Sequence, residues 1–325
     1  MMILCGDIGG TKSRVALYQN SRCIAERQYA NEAYINLSEV LRQFMASYSI
    51  KVDGACFGVA GVVRDNVCKM TNLSWVIDAS LIAEELNISQ VWLINDLEAH
   101  AYGINRLSVE DFEVLNEGSL NLGNAAFIAA GTGLGEVGLY WDGKRHHCIA
   151  SEGGHTDFAP RDDLEIALFQ YLRKKFAHVS YERVLSGEGL KELFYFFIEV
   201  QNEKKPDWLM QMESEDISPL ITEKALNKTC KLCMKVLECF ISIYGSESGN
   251  MALKFLSLGG FYVGGTIACK IAPALKEETF MKNFRSKGRF EHLLSKIPIK
   301  IILNDRSALL GAREFARMQL DLIGG

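Results

Sequence analysis

The segment Gly6-Asp7-Ile8-Gly9-Gly10-Thr11-Lys12 lies between two apolar runs, Met1 to Cys5 and Val15 to Tyr18, and the arrangement returns later in the chain. There Ala130-Gly131-Thr132-Gly133-Leu134-Gly135 separates Phe127-Ile128-Ala129 from Val137-Gly138-Leu139-Tyr140. Each unit reads as strand, glycine loop, strand, and the second is followed by a turn at Trp141-Asp142-Gly143-Lys144. Backbone without side chains lets N–H groups crowd against an anion. One such loop constrains little; two in matched settings predict a duplicated core that grips a phosphate chain from both sides.

The residues around each loop extend the parallel. After the first, Ser21 to Tyr29 supplies a third strand, and Leu37, Val40, Leu41, Phe44, Met45 and Tyr48 follow helical spacing. Gly54 to Val59 reads as a buried strand, Asp78 is placed to cap a helix carrying Leu81, Ile82 and Leu86, and Val91 to Ile94 is a strand running into a helix near Leu97. The second half repeats the order with a strand at Cys148 to Ala150 and helices from Asp162 and near Leu190. A long helix is expected from Thr222 to about Tyr244, a strand at Phe255 to Leu258, and a helix opened by Gly259 to Gly265. A strand at Ile299 to Leu303 and a helix at Ser307 to Met318 close the chain. Alternating strands and helices predict an α/β protein of two lobes with a cleft between them.

Composition narrows the function classes. The 325 residues are 48% hydrophobic and 23% charged, which is globular, and the net charge of -5 with no basic stripe argues against nucleic acid. The first apolar stretch is too short for a signal peptide, and no window of about 18 uncharged apolar residues suggests a membrane span. Nine scattered cysteines, an odd number, fit reduced thiols in a cytoplasm. Cys230-Lys231-Leu232-Cys233 lacks a second ligand pair, and with Val236-Leu237 it reads as a buried helix face.

Three places carry chemistry. Asp96 follows a buried strand at the head of a helix, where α/β proteins place ligand groups; it could serve only as a helix cap, but Asn95 beside it could take that role. Asp7 stands among the glycines of the first loop, which suits a carboxylate reaching Mg²⁺ or its water, or an aspartate that caps its own turn. Glu152-Gly153-Gly154-His155 offers a carboxylate and an imidazole from one tight turn, and no third ligand at suitable spacing makes it a metal site.

These residues, with Leu93-Ile94-Asn95-Asp96, Glu152 to Pro160, Glu182-Arg183-Val184-Leu185-Ser186-Gly187, Lys287-Gly288-Arg289-Phe290 and Ala308 to Ala312, resemble the bacterial glucokinase family over nearly the whole chain. The resemblance implies the actin-like ATPase (ribonuclease H-like) fold, each lobe built on a mixed five-stranded sheet. It implies a small lobe of residues 1–106 completed by a C-terminal helix at 305–325, and a large lobe of residues 107–304. It also implies a kinase that moves the γ-phosphoryl group of ATP to the 6-hydroxyl of D-glucose, with Asp96 as general base. Asn95, Asp96, Glu152, His155 and Glu182 would bind the sugar. Gly6, Asp7, Ile8, Gly9, Gly10, Thr11, Gly131, Thr132 and Gly133 would hold the phosphates, Gly260 and Gly264 would face the adenosine, and Asp7 would stand on the Mg²⁺ side. A homodimer is implied as well.

Two positions depart from the family pattern. Glu136 follows the second loop where a small or apolar residue is usual, and is expected to point away from phosphate, the alternative being that it helps with Mg²⁺; Gly264 to Lys270 is blurred around Cys269. The cysteine-rich zinc motif of the related repressor and sugar-kinase family is absent. A kinase of mannose, fructose or an amino sugar fits the same residue types. A non-catalytic sugar sensor would be expected to lose the base or a phosphate loop, and an actin-like ATPase acting on a protein has no use for the polar set.

Overall fold

The computed structural model describes residues 1–324 except 72, 120 and 212–215. The chain forms two compact units, Met1–Val109 with Asn304–Gly325, and Glu110–Leu303.

In the first unit, β1 (Met2–Ile8), β2 (Lys12–Gln19) and β3 (Arg22–Ala30) form an antiparallel meander; α1 (Leu37–Met45) and β4 (Gly54–Val59) follow. A small three-stranded sheet comprises β5 (Val63–Arg64), β6 (Val67–Lys69) and β7 (Val76–Asp78). Then come α2 (Ala79–Leu86), capped by the Asp78 side chain through Ser80 N, β8 (Val91–Asn95) and α3 (Asp96–Gly103). The main sheet has the order β3-β2-β1-β4-β8, with β1, β4 and β8 parallel. Alternation along β1 sends Leu4 and Ile8 to a core with Val40, Phe44 and Phe57. Ile3 and Cys5 go to a second core with Ala99, Ala308, Leu309 and Ala312.

That second core is made of small residues because the helices come very close. A Cβ on Gly58 would lie 2.6 Å from Ala99 Cβ, and one on Gly311 would lie 1.7 Å from Ala99 O. Only glycine at these points lets α3 lie between β4 and the C-terminal helix (Ser307–Gly324).

In the second unit, β9 (Phe112–Asn116), β10 (Ala125–Ala130), β11 (Leu134–Trp141) and β12 (His146–Ile149) precede α4 (Asp163–Leu172) and α5 (Gly187–Glu199). They are followed by α6 (Ser218–Leu226), α7 (Lys231–Lys254), β13 (Gly260–Gly264), α8 (Gly265–Leu275), α9 (Glu278–Arg285), α10 (Glu291–Leu294) and β14 (Ile299–Ile302), after which α11 is the C-terminal helix already described. The sheet order is β12-β11-β10-β13-β14-β9, with β10, β13 and β14 parallel. Its first five strands repeat the order of the first sheet, so the duplication inferred from the glycine loops is a duplication of topology. A five-stranded sheet was expected in each lobe; here β9 adds a sixth strand, antiparallel to β14.

Two further expectations are corrected. The helix expected from Thr222 to Tyr244 is two helices, because Lys228 adopts a left-handed conformation (φ 56°) and Cys230 caps α7 through Sγ to Cys233 N at 3.5 Å. Cys233 is buried as expected, whereas Cys230 is only half-buried. Helix α7 then runs on to Lys254 through Gly245 and Gly249, which look like breakers but let α9 approach; Cβ atoms there would lie 2.3 and 2.2 Å from Phe280 O and Phe284 O. The strand expected at Phe255 to Leu258 is a turn containing Leu256 at φ 47°; of the following segment, Gly260–Gly264 forms β13, and only Gly265 opens the helix expected there, with Gly264 at its N-cap. Phe255 turns inward into space that Gly138 leaves by lacking a Cβ.

Candidate active site

The first glycine loop is a tight hairpin between β1 and β2, closed by Gly9 N donating to Lys12 O at 3.0 Å. Asn31, a buried residue outside the sequence-level candidates, braces it. Its amide Nδ2 donates to Gly9 O at 2.8 Å, its backbone N donates to Thr11 O at 2.9 Å, and its Oδ1 accepts from Ser13 Oγ at 2.7 Å. A buried amide with three fixed partners resembles a spacer in sequence, so only the fold reveals its role. Gly6 cannot carry a side chain, since its Cβ would lie 2.9 Å from the Phe57 ring and 3.3 Å from Arg14 O.

Asp7 lies opposite Arg14 in the hairpin register. Burial pushes its carboxyl up to about 6 despite the Arg14 guanidinium, and the Asp305 charge adds to the rise. Arg14 is drawn away into an ion pair with Asp305 at 2.7 Å. A half-buried carboxylate that is incompletely neutralised is a hard oxygen donor with spare capacity for a cation.

Strand β8 ends at Asn95, whose Oδ1 accepts from Leu97 N at 2.9 Å while Glu98 Oε2 accepts from Asn95 N at 3.1 Å, a reciprocal capping box. Asn95 Nδ2 also donates to Gly61 O at 3.1 Å. The cap role is therefore taken by Asn95, and Asp96 is the first residue of α3, its Oδ1 accepting from Leu97 N at 2.9 Å. Burial holds the Asp96 carboxyl above the usual carboxylate range; His100, one turn further along, opposes the rise and the Asp7 charge adds to it. Asp7 and Asp96 therefore act on each other electrostatically. His100, not anticipated from sequence, lies with Nδ1 2.6 Å from Ser307 Oγ, and burial keeps its pKa below the usual imidazole value.

In the second unit the loop between β10 and β11 is closed by Gly131 N donating to Gly133 O at 2.8 Å. Glu182 Oε2 accepts from Leu134 N at 3.0 Å, so this carboxylate packs directly against the loop; a Cβ on Gly133 would lie 2.5 Å from it. His155 Nδ1 lies 3.8 Å from Glu182 Oε1. Glu152 is exposed at the head of the same turn, which closes through His155 N donating to Glu152 O at 3.0 Å. Glu182, His155 and the second glycine loop thus converge.

Beside that loop is a cavity of about 470 Å³ lined by Gly131, Thr132, Lys191, Ser218, Thr266 and Lys270 among others. The starts of α5, α6 and α8 contribute to its lining, and Gly187 N at the head of α5 donates to Gly131 O at 2.9 Å. Gly260 and Gly264 are buried in β13 and do not line it; a Cβ on Gly264 would meet the Phe127 ring at 2.7 Å. Glu136 points into the interior, as expected from the sequence, and is only 3% exposed.

Two copies of one sheet topology, each with a glycine turn between its first two strands, define an α/β protein of the actin-like ATPase fold that handles phosphate groups. A family model described as glucokinase matches residues 4–319, and the chain belongs to that family. The glucokinase of Synechocystis sp. is 38% identical, with 95% of this chain and 96% of that protein aligned. A glucokinase from an Antarctic psychrotroph superposes with a TM-score of 0.86 at 28% identity, covering 98% of this chain and 99% of that one. The Balamuthia mandrillaris glucokinase, solved with glucose, shares the fold at a TM-score of 0.80 and 20% identity, with 97% and 93% of the two chains covered.

Proposed function

We propose that the chain transfers the γ-phosphoryl group of ATP to the 6-hydroxyl of D-glucose, giving glucose 6-phosphate and ADP, with Asp96 as the general base. The observation that carries this reading is the placement of Asp96: at the head of α3, just past the Asn95 cap, with a carboxyl raised above its ordinary range in a member of the glucokinase family. A base whose pKa is raised by burial is a better acceptor for the hydroxyl proton as the oxygen attacks phosphorus.

Asn95, Glu152, His155 and Glu182 hold the other sugar hydroxyls, and a site that hydrogen-bonds each one rejects sugars that misplace them. The loops Gly6 to Thr11 and Gly131 to Gly133 cradle the phosphates. The adenosine occupies the cavity beside the second loop, where Thr266 and Lys270 supply polar contacts. Phosphoryl transfer depends on such positioning and on charge neutralisation more than on covalent chemistry.

The donor set fits Mg²⁺. Among the described residues no group of three or more metal-ligating side chains occurs, and Asp7 is a lone oxygen donor with an incompletely neutralised carboxyl. That is the pattern of an ion held chiefly by substrate phosphates and water. Bound Mg²⁺ would neutralise charge on the phosphates, and Asp7 would hold it, directly or through water, with Arg14 beside it paired to Asp305. The nine cysteines are all free thiols, which agrees with a cytoplasmic enzyme, and a homodimer is the assembly proposed.

A coupled assay for glucose 6-phosphate with ATP and Mg²⁺, run over a hexose panel, tests the activity; no glucose- and Mg²⁺-dependent product would refute it. Asp96→Ala is expected to lower kcat about 10²- to 10⁴-fold with glucose binding nearly intact. Survival of turnover would remove Asp96 as the base.

A further inference from the structure

Glu136 is the third residue of β11 and is buried, yet its Oε1 has no hydrogen-bond partner. Its Oε2 sits so close under Gly153 that a Cβ there would lie 2.2 Å away. The turn from Glu152 to His155 lies on the same strand, because a Cβ on Gly154 would meet Leu134 O at 2.1 Å. Two glycines therefore let the turn settle on a carboxyl group that no step of the proposed reaction uses.

Behind Glu136 stands α7. Glu247, fully buried, faces it and is held by Lys254 Nζ at 3.5 Å and Asn250 Nδ2 at 2.8 Å. Asn250 Nδ2 also donates to Tyr181 OH at 3.2 Å, and Tyr181 immediately precedes Glu182. One buried polar network thus underlies both segments that present sugar-facing side chains in this unit. The other titratable groups around it are Tyr244 on α7, and Lys287 beyond α9, whose ammonium donates to Ser246 Oγ at 3.0 Å. Glu152 and His155 lie above.

We propose that Glu136 is a positioning residue of the sugar site, its buried carboxyl seated against Gly153 and setting where Glu152 and His155 stand. The proposal rests on the reading that those two side chains hold glucose. Burial and the neighbouring Glu247 charge keep the Glu136 proton on up to about 8, with Lys254 opposing. Loss of that proton places two carboxylates together away from water, a repulsion that the glycine turn above can relieve by moving. Glucose affinity then falls at alkaline pH while the chemical step is spared.

The test compares the full-length chain with Glu136→Gln, which keeps the shape of the neutral acid and cannot ionise. Steady-state KM for glucose, kcat, and calorimetric glucose binding without ATP are measured from pH 7 to 9.5. In the wild type, KM and Kd for glucose are expected to rise about tenfold by pH 9, one unit above the transition, with kcat little changed. The Gln variant is expected to hold its neutral-pH values throughout. A Gln variant that follows the wild-type profile overturns the proposal, as does one in which kcat and affinity fall together at every pH. Should the Gln variant be poorly folded, Glu136→Met serves the same comparison.

Glu152→Ala and His155→Ala at pH 7 separate the two readings: unchanged glucose affinity refutes their role in sugar binding. Hydrogen exchange of residues 151–156 still decides Glu136 in that case. Exchange that accelerates above pH 8 in the wild type relative to the Gln variant supports positioning, and matched exchange overturns it.

Discussion

His100 Nδ1 and Ser307 Oγ lie 2.6 Å apart, joining the helix that begins at Asp96 to the helix that ends the chain. Ser307 Oγ also lies 3.2 Å from Asn304 O, which accepts from it. The helix that carries Asp96 is thereby fixed by a residue more than two hundred positions away in sequence.

Removing that contact is expected to cost stability and geometry together. Ser307→Ala removes the hydroxyl that pairs with His100 Nδ1, a loss of about 1–3 kcal/mol. A lower urea midpoint with unchanged slope, and a fall in kcat larger than any change in glucose KM, is the expected result.

The close approach of α3 and α11 gives a steric prediction. Gly311→Ala would place a methyl 1.7 Å from Ala99 O and 2.6 Å from Gly103 N, against backbone that cannot yield cheaply. A destabilisation of about 3 kcal/mol is expected. Thermal unfolding reads the loss, and kcat measured well below the melting transition reads the displacement of Asp96.

The pH profile of kcat/KM should carry the mark of Asp96. Because its carboxyl is held above the ordinary range, the acid limb should fall at a higher pH than a free aspartate would give, activity being lost as pH drops and the base takes up a proton. The Asp7 charge contributes to that rise, so Asp7→Asn, assayed at saturating Mg²⁺, should move the limb to lower pH as well as lowering the plateau. An unmoved limb would mean that another group controls it.

Glu182 has two duties, one to the loop through Leu134 N and one beside His155. Glu182→Ala should therefore raise KM for both glucose and ATP, each about tenfold or more, whereas His155→Ala should raise only that for glucose. Initial-rate kinetics with each substrate varied in turn distinguish the two.

Glu136 also makes a prediction about stability. Its carboxyl binds a proton in the folded chain up to about 8 against an ordinary value of 4.5, so the folded state holds more protons than the unfolded between those limits and stability declines as pH rises through that window. Glu136→Gln should remove the decline, matching the wild type near pH 4 and exceeding it by on the order of 5 kcal/mol above pH 8. Denaturation midpoints across that range provide the measurement.

Much of this was legible in the linear chain because its signals are local. The hairpin loops at Gly6 to Thr11 and Gly131 to Gly135, the cap at Asp78, and the abrupt end of β8 before Asp96 each follow from a few adjacent residues. The break at Lys228 was not legible, because Asn227-Lys228-Thr229 is compatible with a continuous helix until packing chooses otherwise. Nor was the run of α7 past Tyr244 legible, since Gly245 and Gly249 are weak helix formers whose small surfaces admit α9 only in the folded chain.

The glycine turns, most of the strands and the place of Asp96 at the end of β8 were therefore written in neighbouring residues and their periodicity, while the role proposed for Asp96 came from the family resemblance. What only three-dimensional packing settled was which side chains stand behind them: Asn31 bracing the first loop, Ser307 holding His100, and Glu136 lying under Gly153. Those partners come from distant parts of the chain, and their effect depends on burial, which raises the free energy of an unpaired charge or donor. Burial is a property of the folded surroundings, and no stretch of adjacent residues encodes it.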